Sequence, residues 1–234
     1  MKKITFLFAF LFAVTVSQAQ KLKGEGPLVE QDLRVENFDG IALNFSGDVF
    51  ITQGDRFEVR AQGQQNLIDD LNLNVEDGIW KIKFKSKSVN YKSKFHVYIT
   101  MPTLTYAKVH GSGSITSKGK FRNLDRLEAG VHGSGDLDLD IEVDALTVKV
   151  TGSGDARLSG TANAANVNLT GSGDYDGYNL HTKNCEAKLT GSGDIEVYAS
   201  DFLLAEVVGS GDIDYKGSPQ VKAKVRGSGD IDGH

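Results

Sequence analysis

The stretch KLTGSGDIEVY at residues 188–198 is one of seven near-copies of the same phrase in this chain of 234 residues. A period near 20 residues without a helical pattern of apolar residues is typical of stacked β coils, one coil per repeat. The intervals between copies are 22, 19, 19, 20, 18 and 18 residues, and the copies begin at Gly111, Gly133, Gly152, Gly171, Gly191, Gly209 and Gly227. The repeat therefore predicts an all-β protein whose coils stack along one axis.

Apolar residues occupy alternate positions around each copy of the motif. In the quoted copy, Leu189, Ile195 and Val197 have the same parity as the glycines Gly191 and Gly193. Alternate residues of a strand point to one face, so these columns are predicted to point inward and to form one core. Two inward glycines predict a narrow corner, where backbone from another wall of the coil approaches closely. The serine and the aspartate of the motif are predicted to point outward.

Residues 20–110 are less regular, and we interpret them as the first coils and the N-terminal cap of the same domain. WKIKFKSK (80–87) and FHVYITMP (95–102) alternate as strands do, whereas QQNLIDDLNLN (64–74) is compatible with a short helix. Residues 111–234 form the regular part. The sequence therefore predicts a single β-helix domain over residues 20–234, with eight to ten coils.

The order of these motifs resembles that of a known family. FDGIALNFSGDVFITQG (38–54), YITMPTLTYAKVHGSG (98–113) and the serial GSGDI repeats are similar to the head-GIN-domain family of auto-transporter adhesins, which is common in Bacteroidetes. The resemblance covers residues 30–234. It implies a single-stranded, right-handed parallel β-helix with a pectin-lyase-like shape and a role at the cell surface or in adhesion. It provides no catalytic residues.

The N-terminus predicts export. Lys2 and Lys3, the apolar run Ile4–Val16 and the small-residue sequence Ser-Gln-Ala at 17–19 are typical of a signal peptide over residues 1–19. We expect the mature protein in the periplasm, on the outer membrane surface or outside the cell. No later stretch approaches the length of about 20 apolar residues that a membrane helix needs, so no transmembrane segment is predicted in the mature chain.

Charge and cysteine content exclude several classes of function. Removal of the signal peptide leaves 24 basic and 31 acidic residues, a net charge of −7, whereas nucleic-acid binding requires a basic surface. One cysteine, Cys185, excludes an intramolecular disulfide and a cysteine-based zinc site. It occupies an apolar inward column and is predicted to be a buried structural thiol.

The aspartates of the motif form one outward column. Coils about 4.8 Å apart place like charges next to each other, at a cost of roughly 0.9 kcal/mol for each pair in water. Hydrogen bonds to backbone or serine groups at the corner would compensate for this cost. A weak divalent-cation stripe is the alternative, whereas a tight calcium site needs oxygens that converge on one point. No other cofactor is predicted. The column consists of Asp136, Asp155, Asp174, Asp194, Asp212 and Asp230.

Aromatic and basic side chains supply the other candidate sites. Tyr178 and Tyr198 both stand seven residues after a motif start, so they are predicted to be outward neighbours that could stack on a sugar face. Packing against each other or against a loop is the alternative. His110 and His132 likewise share one outward column but lack a third ligand. Four outward lysines are predicted to protect a strand edge and keep it soluble. The alternative is that they form a basic stripe that binds acidic glycans or lipid head groups. They are Lys81, Lys83, Lys85 and Lys87.

The sequence favours a non-catalytic surface or periplasmic interaction module, an adhesin whose partner is a glycan or a protein. A lectin-like β-helix is the first alternative and a polysaccharide-active enzyme the second, although the regular repeats do not suggest the paired carboxylates of a glycosidase. The last repeat, GSGDIDGH at 227–234, predicts a free strand edge. Such an edge favours a homo-oligomer through the C-terminal coil.

Overall fold

Eighteen β-strands and one short helix make up residues 21–234, which are the residues that the computed structural model describes. They form a parallel β-solenoid of about seven turns, with 69% strand and 2% helix. The predicted parallel β-helix is confirmed, but the expected eight to ten coils were too many because part of the N-terminal region forms antiparallel pairs instead of coils. The predicted signal peptide lies outside the described residues, and the division at residue 110 stays a prediction.

The N-terminal region combines coil strands with a small mixed sheet. Its elements are β1 (Leu22–Lys23), β2 (Leu28–Leu33), β3 (Gly40–Leu43), β4 (Asp48–Gln53), β5 (Glu58–Gln64), α1 (Gln65–Asp69), β6 (Val75–Glu76), β7 (Ile79–Ile82), β8 (Val89–Asn90), β9 (His96–Met101) and β10 (Tyr106–Gly111). β3 lies parallel to β7 and β10 and joins the stack, whereas β5 pairs antiparallel with β2 and β9. The chain therefore enters the solenoid through a small sheet that has both antiparallel and parallel pairs.

One of two local predictions for this region needs correction. The short helix expected within 64–74 is confirmed as the five-residue α1, with Leu67 and Ile68 buried. The strand predicted over 80–87 ends at Ile82, and Phe84 makes only an isolated antiparallel bridge to Leu71. Beyond Ile82 the chain pairs with the segment after α1: the N–H of Asn72 donates to the carbonyl oxygen of Lys83, and the N–H of Lys85 donates to that of Asp70, both over 2.8 Å.

Each GSGD repeat contributes one coil to the regular region. Its strands are β11 (Ser114–Gly133), β12 (Asp136–Gly152), β13 (Asp155–Gly171), β14 (Tyr175–Gly191), β15 (Ile195–Gly209), β16 (Ile213–Lys216), β17 (Gln220–Gly227) and β18 (Ile231–Gly233). All of their pairings are parallel. The first glycine of each motif ends a strand and pairs with the first glycine of the next copy. The repeat spacing thus sets the register of the stack.

The inward columns are confirmed. Val148, Val167, Ala187 and Ala205 align in consecutive coils, and each is 0% exposed. Full burial of a Val, Leu or Ile side chain stabilises a fold by about 1.5–3 kcal/mol. Columns of this kind therefore supply most of the favourable free energy of the solenoid.

The motif glycines permit close stacking of one coil on the next. A Cβ at Gly193 would lie 1.9 Å from the carbonyl oxygen of Gly173, and one at Gly191 would lie 2.0 Å from that of Gly171. Gly191 also has a φ of +137°, in a region that side chains rarely adopt. The close approach predicted from parity is confirmed, but it comes from the preceding coil and not from another wall of the same coil.

The last coil has an open edge within the described chain. β17 pairs with β15 on one side, and no strand of residues 21–234 pairs with its other side. Val225 points along the inward column yet is 42% exposed, because no described coil covers it. In the same residues, no helix is long and apolar enough to cross a membrane.

Candidate binding groove and acidic face

The aspartate column forms a hydrogen-bonded ladder. The backbone N–H of Asp194 donates to Oδ1 of Asp174 over 2.9 Å, and the N–H of Asp212 donates to Oδ1 of Asp194 over 3.0 Å. The same bond joins Asp174 to Asp155 and Asp230 to Asp212. Each bond links a charged oxygen to a backbone donor, which offsets the repulsion between neighbouring carboxylates. This confirms the expectation that the corner supplies hydrogen bonds.

Asp136 stands outside this ladder. The N–H of Asp155 donates instead to the carbonyl oxygen of Gly135, over 3.2 Å. Within residues 21–234 no three His, Cys, Asp or Glu side chains form a group that could hold a metal ion. The weak cation stripe stays a prediction.

A second column of acids flanks the first. The parallel strand pairing aligns Asp176, Glu196 and Asp214 in consecutive coils. Burial raises the pKa of Glu196, and the carboxylates of Asp176 and Asp214 raise it further. Arg157 interrupts the column and forms an ion pair with Asp176 over 2.8 Å. The sequence contained the signal for this column, because its members all stand five residues after a motif start.

Tyr178 and Tyr198 are not neighbours, so the predicted pair is wrong. Residues 178–180 have no partner in β15, because the pairing passes directly from Gly177↔Val197 to His181↔Tyr198. The Tyr198 ring consequently lies against the His181 ring, with centroids 4.3 Å apart at 63°. The prediction assumed that both coils have the same number of residues at this corner, whereas residues 178–180 have no counterparts in β15.

The Tyr178 ring faces the acidic columns instead. Nζ of Lys216 lies 3.9 Å from its centroid. Burial raises the pKa of Tyr178 to about 12, and the nearby carboxylates of Asp214, Glu196 and Asp176 add to this effect. One face of Tyr178 is therefore already occupied by a cation.

His181 and Tyr198 lie in a groove that crosses the coils, which we call the coil groove. One wall aligns Glu142, Thr161, His181 and Tyr198, one residue per coil. The floor is formed by Leu124, Val143, Ala162 and Thr182, and the opposite wall by Asp125, Asp144, Asn163, Lys183 and Ser200. The groove has a volume of about 640 Å³.

The coil groove forms at the second corner of each coil. Inward residues there are separated by three positions instead of two, as between the buried Val143 and Leu146, so two consecutive side chains, Asp144 and Ala145, are exposed. This break in alternation was visible in the sequence but was not used. Because the corner recurs, its polar side chains line up along the stack.

Side-chain contacts hold the groove walls in place. Nδ2 of Asn163 donates to Oδ1 of Asp144 over 2.7 Å, and Arg122 lies 3.3 Å from a carboxylate oxygen of Glu142. The buried Thr182 hydroxyl donates to the carbonyl oxygen of Tyr198 over 2.5 Å. This last bond fixes the backbone that carries the Tyr198 ring.

Two of the four candidate lysines have partners within the N-terminal region. Lys81 pairs with Glu76 over 2.6 Å, and Nζ of Lys85 donates to the carbonyl oxygen of Asp69 over 3.1 Å. Lys83 and Lys87 lie beyond the end of β7, which stops at Ile82. The basic stripe stays a prediction.

The histidine pair and the cysteine behave as ordinary structural groups. The rings of His110 and His132 are 6.0 Å apart. Burial lowers the pKa of His110, and His132 and Lys108 lower it further, so the neutral form is favoured. Cys185 is buried, which confirms its prediction, and burial raises its pKa to about 12. A thiol of this kind is a poor nucleophile at neutral pH.

Comparison with known proteins agrees with this architecture. A putative adhesin from Bacteroides fragilis has 29% sequence identity and a TM-score of 0.85, and the match covers 91% of this chain and all of that one. A "putative lipid binding protein" from Parabacteroides distasonis has 27% identity and a TM-score of 0.77, over 92% of this chain and all of that one. A further adhesin structure, from Parabacteroides merdae, shares the fold at 24% identity and a TM-score of 0.74, over 92% of this chain and all of its own.

None of the curated proteins compared with the chain matches it. The sequence model of the family described as "Putative auto-transporter adhesin, head GIN domain" matches residues 37–219. That match covers most of the chain and includes all of the stacked coils up to β16. The chain therefore belongs to the head GIN domain family of auto-transporter adhesins.

Proposed function

We propose that the protein is an exported, non-catalytic interaction module that binds a partner at a cell surface or in the envelope. The observation that carries the proposal is the repetition of outward groups from coil to coil, as in the aligned Asp176, Glu196 and Asp214. Equivalent groups at a spacing of about 4.8 Å suit a partner that is held by many weak contacts along a line. The family description and the similar adhesin structures support the same function.

The bonding of the groove carboxylates supports a non-catalytic role. A glycosidase needs one carboxyl group with a raised pKa and a second that is charged. In the coil groove, Glu142 faces the guanidinium of Arg122 and Asp144 accepts a hydrogen bond from Asn163. Both groove carboxylates are therefore engaged by side chains of the protein itself.

The proposal is tested with the mature chain, residues 20–234. Fluorescently labelled protein is incubated with intact Bacteroides cells, with cultured epithelial cells and with soluble polysaccharides, and both binding and product release are measured. We expect saturable binding to at least one cell surface and no turnover. Multiple turnovers of a polysaccharide that stop in Glu142→Gln, or in Glu196→Gln at the acid whose pKa is raised, would overturn the non-catalytic function. The absence of any binding would overturn the interaction role.

Export is tested separately on the full chain with a C-terminal tag. We expect the tagged protein to lose residues 1–19 and to fractionate with the periplasm, the outer membrane or the medium. An unprocessed protein that stays in the cytoplasm would contradict the proposal. N-terminal sequencing of the purified product identifies the cleavage position.

Self-association through the C-terminal coil is a second proposal. The free edge of β17 carries unpaired backbone groups beside Val225, which is 42% exposed. Unpaired strand edges pair readily with another edge. A second copy of the chain offers an edge of the same shape, and such a dimer would double the number of binding surfaces.

A further inference from the structure

The coil groove differs from the acidic face in the variety of its side chains. Its first end is acidic, with Asp125, Glu142 and Asp144. Its other end carries the rings of His181 and Tyr198. Between these ends lie hydroxyl and amide groups. One groove thus offers carboxylate and carbonyl acceptors, amide donors and two aromatic rings in a single line.

The backbone around the groove is not available for binding. Between its two ends, its walls and floor belong to β12–β14, whose groove residues lie between paired coils on both sides. An extended peptide is usually recognised through main-chain hydrogen bonds along a free strand edge, and the described coils offer no such edge along the length of the groove between its ends. A lipid chain is also a poor fit, because both walls are polar and only the floor carries apolar side chains.

We propose that the coil groove binds a linear, uncharged glycan that lies along the stack, with one sugar against the Tyr198 and His181 rings. This inference rests on the proposed function and names its partner. Sugar hydroxyls both donate and accept hydrogen bonds, so they match a wall that alternates carboxylate, hydroxyl and amide groups. The apolar face of a sugar packs on an aromatic ring. The three acids of the groove outnumber its one lysine, Lys183, so the groove disfavours an anionic glycan.

The length of the groove gives the proposal a measurable consequence. Coils about 4.8 Å apart place the five aligned coils over about 20 Å. A chain of several sugars spans this distance, whereas a single sugar reaches only one end. Affinity therefore rises with the number of sugars until the groove is filled and then stays constant.

Thr182 acts as a positioning residue for this site. Its buried hydroxyl holds the carbonyl of Tyr198 and therefore the backbone that carries the ring. Removal of the hydroxyl in Thr182→Val should weaken glycan binding less than removal of the ring, and longer glycans should retain the binding that their other contacts provide.

The experiment measures binding of the mature chain to an array of linear neutral oligosaccharides of increasing length, followed by calorimetric titration of the best ligand. Tyr198→Ala should weaken binding about tenfold, which is what the loss of one stacking contact gives. Asn163→Ala changes an exposed wall residue and should weaken binding severalfold without a change in folding. Tyr178→Ala is the matched control, because it removes an equally half-buried tyrosine outside the groove.

Each outcome decides the matter. Glycan binding that is lost in Tyr198→Ala and Asn163→Ala but kept in Tyr178→Ala supports the groove. Equal losses in all three variants, or none in the groove variants, overturn it. Cell binding without any glycan binding overturns the glycan but leaves the proposed function standing, whereas binding to nothing overturns both. If the protein binds phosphatidylcholine vesicles through Tyr198 and binds no glycan, the ligand of the coil groove is a lipid and the glycan proposal is wrong.

Discussion

The N-terminal region and the repeated coils fill their interiors with different side chains. In the coils, in-register columns such as Val148 and Val167 cover each other at 0% exposure. In the N-terminal region, large rings meet at varied angles, as Phe38 does with Trp80 at 5.8 Å and Phe45 with Phe95 at 5.5 Å. Stacked coils of equal register need only medium-sized side chains, because each residue covers the one before it. An irregular region needs larger side chains to fill its gaps.

The largest expected effect on stability distinguishes a motif glycine of the coils from a glycine of the N-terminal region. Gly193→Ala places a Cβ 1.9 Å from a backbone oxygen of the preceding coil, and we expect a loss of at least about 5 kcal/mol in the free energy of unfolding. Gly26→Ala is the control, since its positive φ of +84° is strained but its surroundings are open. It should cost only about 1–2 kcal/mol. Urea unfolding followed by circular dichroism measures both, and equal losses would contradict the stacking role.

The next effect compares one large ring with one small column residue. Trp80→Ala removes a fully buried ring, whose Nε1 donates to the carbonyl oxygen of Asn72 over 2.9 Å, and should cost roughly 3–5 kcal/mol. Val167→Ala, at the same 0% exposure, should cost about 2 kcal/mol. Chemical denaturation gives both values. A larger loss for Val167 than for Trp80 would show that the coils, and not the N-terminal region, depend on single side chains.

Self-association offers a third comparison, between two exposed apolar residues. Val225→Lys introduces a charge beside the free edge of β17 and should weaken self-association at least tenfold, or about 1.4 kcal/mol. Leu28→Lys changes a residue of the N-terminal region that is 51% exposed and should leave association unchanged. Light scattering over a wide concentration range measures the mass. A wild-type protein that stays monomeric over the whole concentration range would contradict the proposal.

A smaller effect tests the aspartate ladder, which occurs only in the repeated coils. Asp194→Ala removes the acceptor for the N–H of Asp212 and should cost about 1 kcal/mol. Asp194→Asn keeps a carbonyl oxygen in place and removes one like charge, so it should stay within about 0.5 kcal/mol of the wild type. Thermal or urea unfolding distinguishes the two variants. If asparagine is as costly as alanine, the hydrogen bond is not what stabilises the column.

The smallest effect depends on pH. The pKa of Glu196 is raised in the folded protein, so the folded state holds its proton more strongly than the unfolded state, and ionisation of this group at neutral pH destabilises the fold. Glu196→Gln should therefore stabilise the protein by about 0.5 kcal/mol at pH 7. The gain should shrink as the pH falls through the raised pKa, and vanish below the unfolded value of 4.5. A gain that persists at pH 3 would point to packing instead of charge.

The fold was largely predictable because its signal is local and repeated seven times. The parity of Leu189, Ile195 and Val197 predicted their burial, and Cys185 followed from the same rule. The N-terminal region was harder to predict because it has no repeat: the strand that ends at Ile82 and the five-residue α1 depend on contacts between distant segments. The candidate site was harder still, because its residues come from five coils and were grouped by spacing alone.

By itself, the sequence determined the stacked coils, the inward columns, the crowded glycine corners and the outward aspartates. Each of these depends on a two-residue period and a repeat length that can be read along one strand. Only the tertiary structure decided which outward side chains meet. The unpaired residues 178–180 separated Tyr178 from Tyr198 and placed Tyr198 against His181. Register between coils depends on how each corner packs on the one below. A bulge at one corner therefore changes the neighbours of the outward residues around it, until the motif columns align again at Leu189↔Val207 and Gly191↔Gly209.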